Sequence, residues 1–394
     1  MLDADGSIWI TPAGIDKGRL QPHDIVRVLP DQTIEGHHRP SSEYPFHRMI
    51  YAARPDLRAL VHAHPPALVA FSIVRKLPST RINPQASAIC GQVGYAPYAL
   101  PGSEALGDSI ARTFRKGHHV VMLENHGVVA GGPDLRTAFQ RFETLEFCAH
   151  INLLANALGR FETLTEAQAA LFDHRHHYLE EFDVGSRTSR ELELRQVICE
   201  FIHRAYRRRL MISTGGTVSA RIDGESFVIT PFGFDRASVQ PEDLVLIKAG
   251  QRERGRLPSR AVRLHSAIYE RHPQIGCVMT AQPPHATAYS ISPQKFDTRT
   301  IPETFIVLRD VPIAPYGLQY EHPEALADMI TSQTPVILLR NDAVLATGAD
   351  ILQTFDRLEV AEFSAQALIN ARQIGELKPI GPQDLEDLKA HFFL

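Results

Sequence analysis

Two histidines stand one residue apart in VHAHPP, at His62 and His64. In an extended strand, side chains two positions apart leave the same face, so the pair aims both imidazoles to one side, as a divalent metal requires. A third imidazole, His126, lies in MLENHGVVAGG between a strand-like VVML and a glycine, at a strand end where the backbone turns. Three histidines with a fourth position open is the ligand pattern of a catalytic rather than a structural zinc site. Glu43, near the start of a helical stretch at 42–53, is a carboxylate that could fill that position at rest and move a proton once substrate displaces it. Residue types alone leave a plainer reading open, with the histidine pair on a solvated strand face and Glu43 as a first-turn acid complementing the helix dipole.

The elements that must position these groups follow from hydrophobic spacing. Apolar or β-branched runs at 8–11, 25–29, 58–62, 120–123 and 128–130 read as strands, and 42–53, 66–75, 103–115 and 134–158 as helices. Strands interleaved with helices predict an α/β/α layered domain. The unit then recurs. IWITPAGIDKGRLQPHDIV at 8–26 matches FVITPFGFDRASVQPEDLV at 227–245, the block at 40–73 matches 258–291, and 134–147 matches 350–363, all in the same order. The second repeat opens near Arg190 with a helical stretch and a glycine-rich turn into a strand at MISTGGTVSARI. The first repeat has no counterpart, which leaves about one helix and one strand to be supplied upstream, or a sheet edge to be covered by something else.

The repeat is an internal control on the chemistry. At the matched positions the second copy has Ala261 for Glu43, Thr280 for His62, Gln282 for His64 and Asp342 for His126, while Ile268-Tyr269, Pro283-Pro284 and Phe355 keep the packing residues. A solvated strand face does not predict the joint loss of all four polar groups.

The combination PSSE, FH, IY, RPD, VHAHPP, YAPYALPGS and LENHGVVAGG resembles the class II aldolase/adducin family, over nearly all of both halves. That resemblance implies two class II aldolase-like α/β/α layered domains in tandem, each with a central mostly antiparallel or mixed sheet. It places His62, His64 and His126 on the family's metal ligands and Glu43 on its acid/base carboxylate. The cofactor implied is a divalent metal, usually zinc, with manganese or cobalt in some members. The implied function is a metal-dependent carbon–carbon lyase acting on a small hydroxy-carbonyl substrate, sugar or sugar-phosphate-like, through an enediolate. An epimerase or decarboxylase of the same family shares that chemistry, and an adducin-like, non-catalytic scaffold is the reading from another class. For the substrate the resemblance points to Gly14, Ser41 and Ser42. Ala13 stands where the family's serine would, and the family's first phosphate-holding turn is absent from the first repeat. The second repeat has Thr214-Gly215-Gly216 but Phe232 and Arg260 at the other two places, so neither half carries a whole phosphate cradle.

The expected organisation is a catalytic domain at 1–165, a connector at 166–189 and a degenerate domain at 190–394. Composition limits the partners. A formal net charge of −4 argues against a nucleic-acid surface, and no apolar run approaches the roughly 18–20 residues of a membrane helix. No secretory signal is legible, so the expected compartment is the cytoplasm. Four cysteines without a CxxC pair indicate neither a disulfide framework nor a thiolate zinc site. The expected partners are a small-molecule substrate and further copies of the chain, as a homodimer presenting four domains. Of nineteen histidines, thirteen lie at or before His177, an asymmetry that the site explains in part. His174, His176 and His177 read as solvated or capping residues of the connector, and Tyr95 and Tyr98 as packing around a proline turn, though either tyrosine could reach a neighbouring site.

Overall fold

The structure, a computed structural model, describes residues 1–172 and 179–392. The connector histidines 174, 176 and 177 lie outside the described residues. The chain forms two compact units, one of residues 1–80 and 86–150, the other of 81–85 and 151–394.

Along the first repeat the elements run β1 (Ile8–Ile10), β2 (Val26–Val28), β3 (Ile34–Glu35), α1 (Tyr44–Ala53), β4 (Ala59–Ala63), α2 (Pro66–Ile73), α3 (Pro84–Cys90), β5 (Gly94–Ala96), α4 (Glu104–Arg115), β6 (Val120–Leu123), β7 (Val128–Gly132) and α5 (Leu135–Ala157). The expected helix at 42–53 begins at Tyr44, because Glu43 occupies the N-cap and Pro45 the first turn, where its missing N–H costs nothing. Helix α4 is capped by Ser103, whose hydroxyl accepts from the Leu106 amide at 3.2 Å. The short elements β3, α3 and β5 have too few residues to show a period, and the sequence reading passes over them.

Strands β5, β6, β7 and β4 form one sheet in the order β4-β7-β6-β5, antiparallel except for the parallel β5–β6 pair. Alternation along β6 makes the sheet two-sided. Val121 and Leu123 pack with Phe46, Ile50, Ile110 and Phe114 of α1 and α4, while Val120 and Met122 pack with Leu68 and Phe71 of α2 and Leu145 and Ala149 of α5. This is the predicted α/β/α layering. Strands β1, β2 and β3 form a separate antiparallel sheet, yet Ile8, Ile10, Val26 and Val28 share the α1/α4 core.

In the second unit the elements are α6 (Glu166–Ala170), β8 (Glu181–Phe182), α7 (Ser189–Arg207), β9 (Thr217–Arg221), β10 (Ser226–Ile229), β11 (Val245–Lys248), β12 (Gln251–Glu253), α8 (Val262–Arg271), β13 (Cys277–Ala281), α9 (Pro284–Ile291), α10 (Pro302–Leu308), β14 (Ile313–Ala314), α11 (Leu318–Glu321), α12 (Pro323–Asp328), β15 (Val336–Leu339), β16 (Val344–Gly348), α13 (Ile351–Ile374) and α14 (Pro382–Phe392). Its nine strands among the described residues make one sheet, in the order β14-β15-β16-β13-β9-β10-β11-β12-β8. The first unit repeats that order in two separate sheets, β5-β6-β7-β4 and β1-β2-β3, with no strand pairing β4 to β1 among the described residues. Helix α7 is capped by Thr188 and tied down by a buried ion cluster, in which Arg195 bonds Glu191 at 2.8 Å and Glu253 at 3.0 Å.

Candidate metal centre

His62 leaves β4 one residue before its end, and His64 follows on the same face just past it. The β6–β7 turn brings His126 to them. Asn125 there takes a left-handed φ of 53°, the Leu123 amide donates to Gly127 O at 2.8 Å, and the His126 amide donates to Leu123 O at 3.2 Å. The β15–β16 turn is built the same way, with Asn341 at φ 53° and the Leu339 amide on Ala343 O at 2.8 Å. The backbone of this corner is therefore common to both repeats, and the side chains alone differ.

One ring nitrogen from each of His62, His64 and His126 lies within 4.8 Å of the others. The geometry of His62 fixes its tautomer. Its Nδ1 is 3.0 Å from the Val128 carbonyl, which can only accept, so Nδ1 carries the proton and Nε2 offers a lone pair. That Nε2 is buried and has no hydrogen-bond partner. Burial, together with the neighbouring imidazoles, pushes the His62 pKa down to about 3, and burial also lowers those of His64 and His126. Three imidazoles brought together, one of them offering a buried, unbonded nitrogen, suit a divalent cation, which takes deprotonated ligands.

Glu43 stands on the remaining side, with Oε1 4.0 Å from His126 Nε2. It makes no capping hydrogen bond to α1, so its side chain is not spent on the helix start. Oε2 is buried without a partner, and burial raises the carboxyl pKa against a smaller opposing effect of His64. The loops carrying Gly14 and Ser41-Ser42 are paired, through a bridge between Pro12 and Pro40, the Ala13 amide on Arg39 O at 3.0 Å and the Ser41 amide on Thr11 O at 3.0 Å. The Ser41 hydroxyl accepts weakly from the Glu43 amide at 3.3 Å, and Gly14 has φ +70° with open space where a Cβ would stand. Tyr98 is exposed, its amide donating to Glu124 at 3.1 Å, while the Tyr95 hydroxyl is buried without a partner.

Sequence reasoning missed two contributors. The Val128 carbonyl orients His62, which no residue type can signal. Gly127 gives room, since a Cβ there would come within 2.5 Å of Ala63 O and 2.9 Å of the His64 ring. Its repeat partner, Ala343, was the available clue.

In the second repeat the same corner is filled. Asp342 receives Gln319 at 2.7 Å and the Tyr320 hydroxyl, and Asn83 donates to its carbonyl at 2.7 Å. Asn341 donates to Ile82 O at 3.1 Å, and Gln85 donates to the Thr214 hydroxyl at 3.3 Å.

A family model described as the class II aldolase and adducin N-terminal domain matches residues 1–153 and again 196–369. The chain belongs to the class II aldolase/adducin family. Among relatives of this class II aldolase-family chain, a 5-deoxy-D-ribulose 1-phosphate aldolase of Bacillus thuringiensis is 35% identical over 164 residues, 41% of this chain and 75% of that protein. A 3-oxo-tetronate 4-phosphate decarboxylase of Pectobacterium atrosepticum is 33% identical over 156 residues, 38% of this chain and 70% of that protein. A solved L-fuculose 1-phosphate aldolase is 33% identical, over 42% of this chain and 77% of that one, with a TM-score of 0.38. Among the described residues, no helix is long and apolar enough to cross a membrane.

Proposed function

We propose that the first repeat, 1–165, is a metal-dependent carbon–carbon lyase domain acting on a small hydroxy-carbonyl substrate, sugar or sugar-phosphate-like, and that 190–394 is a degenerate copy joined to it by 166–189. The observation that carries this reading is the buried, unbonded Nε2 of His62 brought together with two further imidazoles.

His62, His64 and His126 would hold the cation, zinc first and manganese or cobalt next. When bound, it supplies Lewis-acid stabilisation of the negative charge that develops on a substrate oxygen as a carbon–carbon bond breaks. The chain's own residues do the rest. Glu43, half-buried and uncommitted to its helix, holds or moves the proton at the carbon that becomes an enediolate carbon. Its raised pKa brings it nearer neutrality, where an acid/base group works best. Gly14, Ser41 and Ser42 offer amides and hydroxyls to the distal end of the substrate. The similarity to a phosphate-ester decarboxylase favours one second reading, decarboxylation by the same groups. A homo-oligomer, and a cytoplasmic setting, are the accompanying expectations.

Glu43→Gln keeps the shape and removes the basic oxygen. Turnover in a screen of aldol cleavage, epimerisation and decarboxylation should fall by roughly two to four orders of magnitude, with bound metal retained. Normal turnover of that variant on a verified substrate refutes the assignment, and absence of any metal from the purified wild type favours the scaffold.

A further inference from the structure

The corner that lost its metal ligands in the second repeat is occupied by a piece of the chain itself. Residues 81–85 lie between α2 and the first turn of α3, inside the first repeat by sequence, yet they belong to the second unit. There Asn341, at φ 53° on the turn that matches Asn125, donates to Ile82 O and to Glu162 O, each at 3.1 Å. Asn83 donates to Asp342 O at 2.7 Å, and Asp342 stands at the place of His126. The two incoming stretches also pair with each other, through the Leu164 amide on Arg81 O at 2.7 Å. Gln85 reaches the opposite wall, where it donates to the Thr214 hydroxyl at 3.3 Å. A Cβ on Gly215 would stand 3.2 Å from Gln282 Oε1 and 3.3 Å from Gln85 Oε1, and Gln282 stands at the place of His64.

The segment is built to be held. Ile82 is 1% exposed, Asn83 7% and Asn341 3%, so these bonds are made away from water, where leaving one unmade is costly. Asn83 Oδ1 also accepts the Gln85 amide at 2.9 Å, and Pro84 between them has its φ fixed by the ring, so the stretch arrives as a preformed turn. The repeat is again a control. STRINPQ at 79–85 matches DTRTIPE at 297–303, which keeps the threonine, the arginine and the proline but has Ile301 for Asn83 and Glu303 for Gln85. Neither replacement has a side-chain donor, whether for a carbonyl or for a threonine hydroxyl. One copy therefore carries the segment with the donors, and the other carries the corner that receives them.

We propose that the corner of the second repeat that matches the metal centre is a peptide-binding clamp, that its ligand is the chain's own segment Arg81–Gln85, and that this is the work of the copy without metal ligands. Asn341 takes two backbone carbonyls whatever side chains they carry, while the Asp342 carbonyl reads one side chain, Asn83. The Asp342 carboxylate is turned to another use, receiving Gln319 at 2.7 Å and the Tyr320 hydroxyl. What the clamp fixes is the start of α3. That helix ends at Cys90, which is buried with Met122 and Val128, residues of the two strands joined by the His126 turn.

The test is limited digestion of the full chain with trypsin, because the exposed Arg81 offers a cleavable bond to the buried Ile82. The wild type should resist cutting there. Asn341→Gly keeps the left-handed backbone and removes both donors, and Asn83→Ala removes one donor and one acceptor. At about fivefold per hydrogen bond, each variant should be cut about 25-fold faster, at this one bond, into 1–81 and 82–394. Hydrogen exchange of the Leu164 amide, which rests on Arg81 O, should rise with it. Gln85→Ala removes one bond and should speed cutting about fivefold, which keeps the test open if an asparagine variant fails to fold. Cutting within twofold of wild type in the folded variants overturns the proposal, and so does a wild type cut at Arg81 as fast as a free peptide of residues 78–88. These readouts need neither metal nor turnover, so they fail independently of the lyase reading.

Discussion

Replacing Gly127 by alanine puts the second repeat's residue into the first repeat's site. Gly127 does not have a positive φ, so alanine fits the backbone and the cost is steric alone. The new Cβ would stand 2.5 Å from the Ala63 carbonyl oxygen and 2.9 Å from His64 Cδ2, where ordinary contact begins at 3.4 Å. Relief takes about 0.9 Å of movement at a backbone atom paired into β4 and β7, and about 0.5 Å at the ring of one proposed ligand. Overpacking of this kind costs roughly 1–3 kcal/mol of stability. Displacing a ligand by that distance should weaken the metal about 10–100-fold, the range seen when a ligand's supporting contacts are removed. Chelator competition gives the metal affinity and urea unfolding of the metal-free chain gives the stability. Gly131→Ala is the control, because its Cβ meets the flexible end of Leu57 at 2.8 Å and no ligand, so it should destabilise without weakening the metal. Metal affinity within twofold of wild type for a folded Gly127→Ala chain would refute the placement of His64 among the ligands.

One divalent metal per chain is expected on metal analysis of the purified protein; His126→Ala should abolish it and Asp342→Ala should leave it unchanged. Arg195→Met should destabilise the second unit by about 3–5 kcal/mol in urea unfolding, because it strips a buried guanidinium from Glu191 and Glu253 and leaves them to the half-buried Arg187. Burial holds His265 at about 3, below its unfolded value of 6.5, so between those values the unfolded chain binds the extra proton and stability falls as pH falls. That one residue accounts for about 2 kcal/mol of the loss between pH 7 and pH 5, and His265→Gln should flatten the dependence by that amount.

The shared face of the histidine pair and the duplication were legible because they rest on local periodicity and on a repeated pattern. His62 and His64 share a face wherever VHAHPP is extended, and two copies of one pattern carry their own alignment. The main helices and strands were legible for the same reason, and β3, β5 and α3 were not, being too short to show a period. Tertiary structure alone decided what surrounds the histidines. The Val128 carbonyl that sets the His62 tautomer belongs to a strand paired across the sheet, and the distance from Glu43 to His126 depends on where α1 packs against β4. Both are distances in space between residues far apart along the chain, which no spacing in the sequence records.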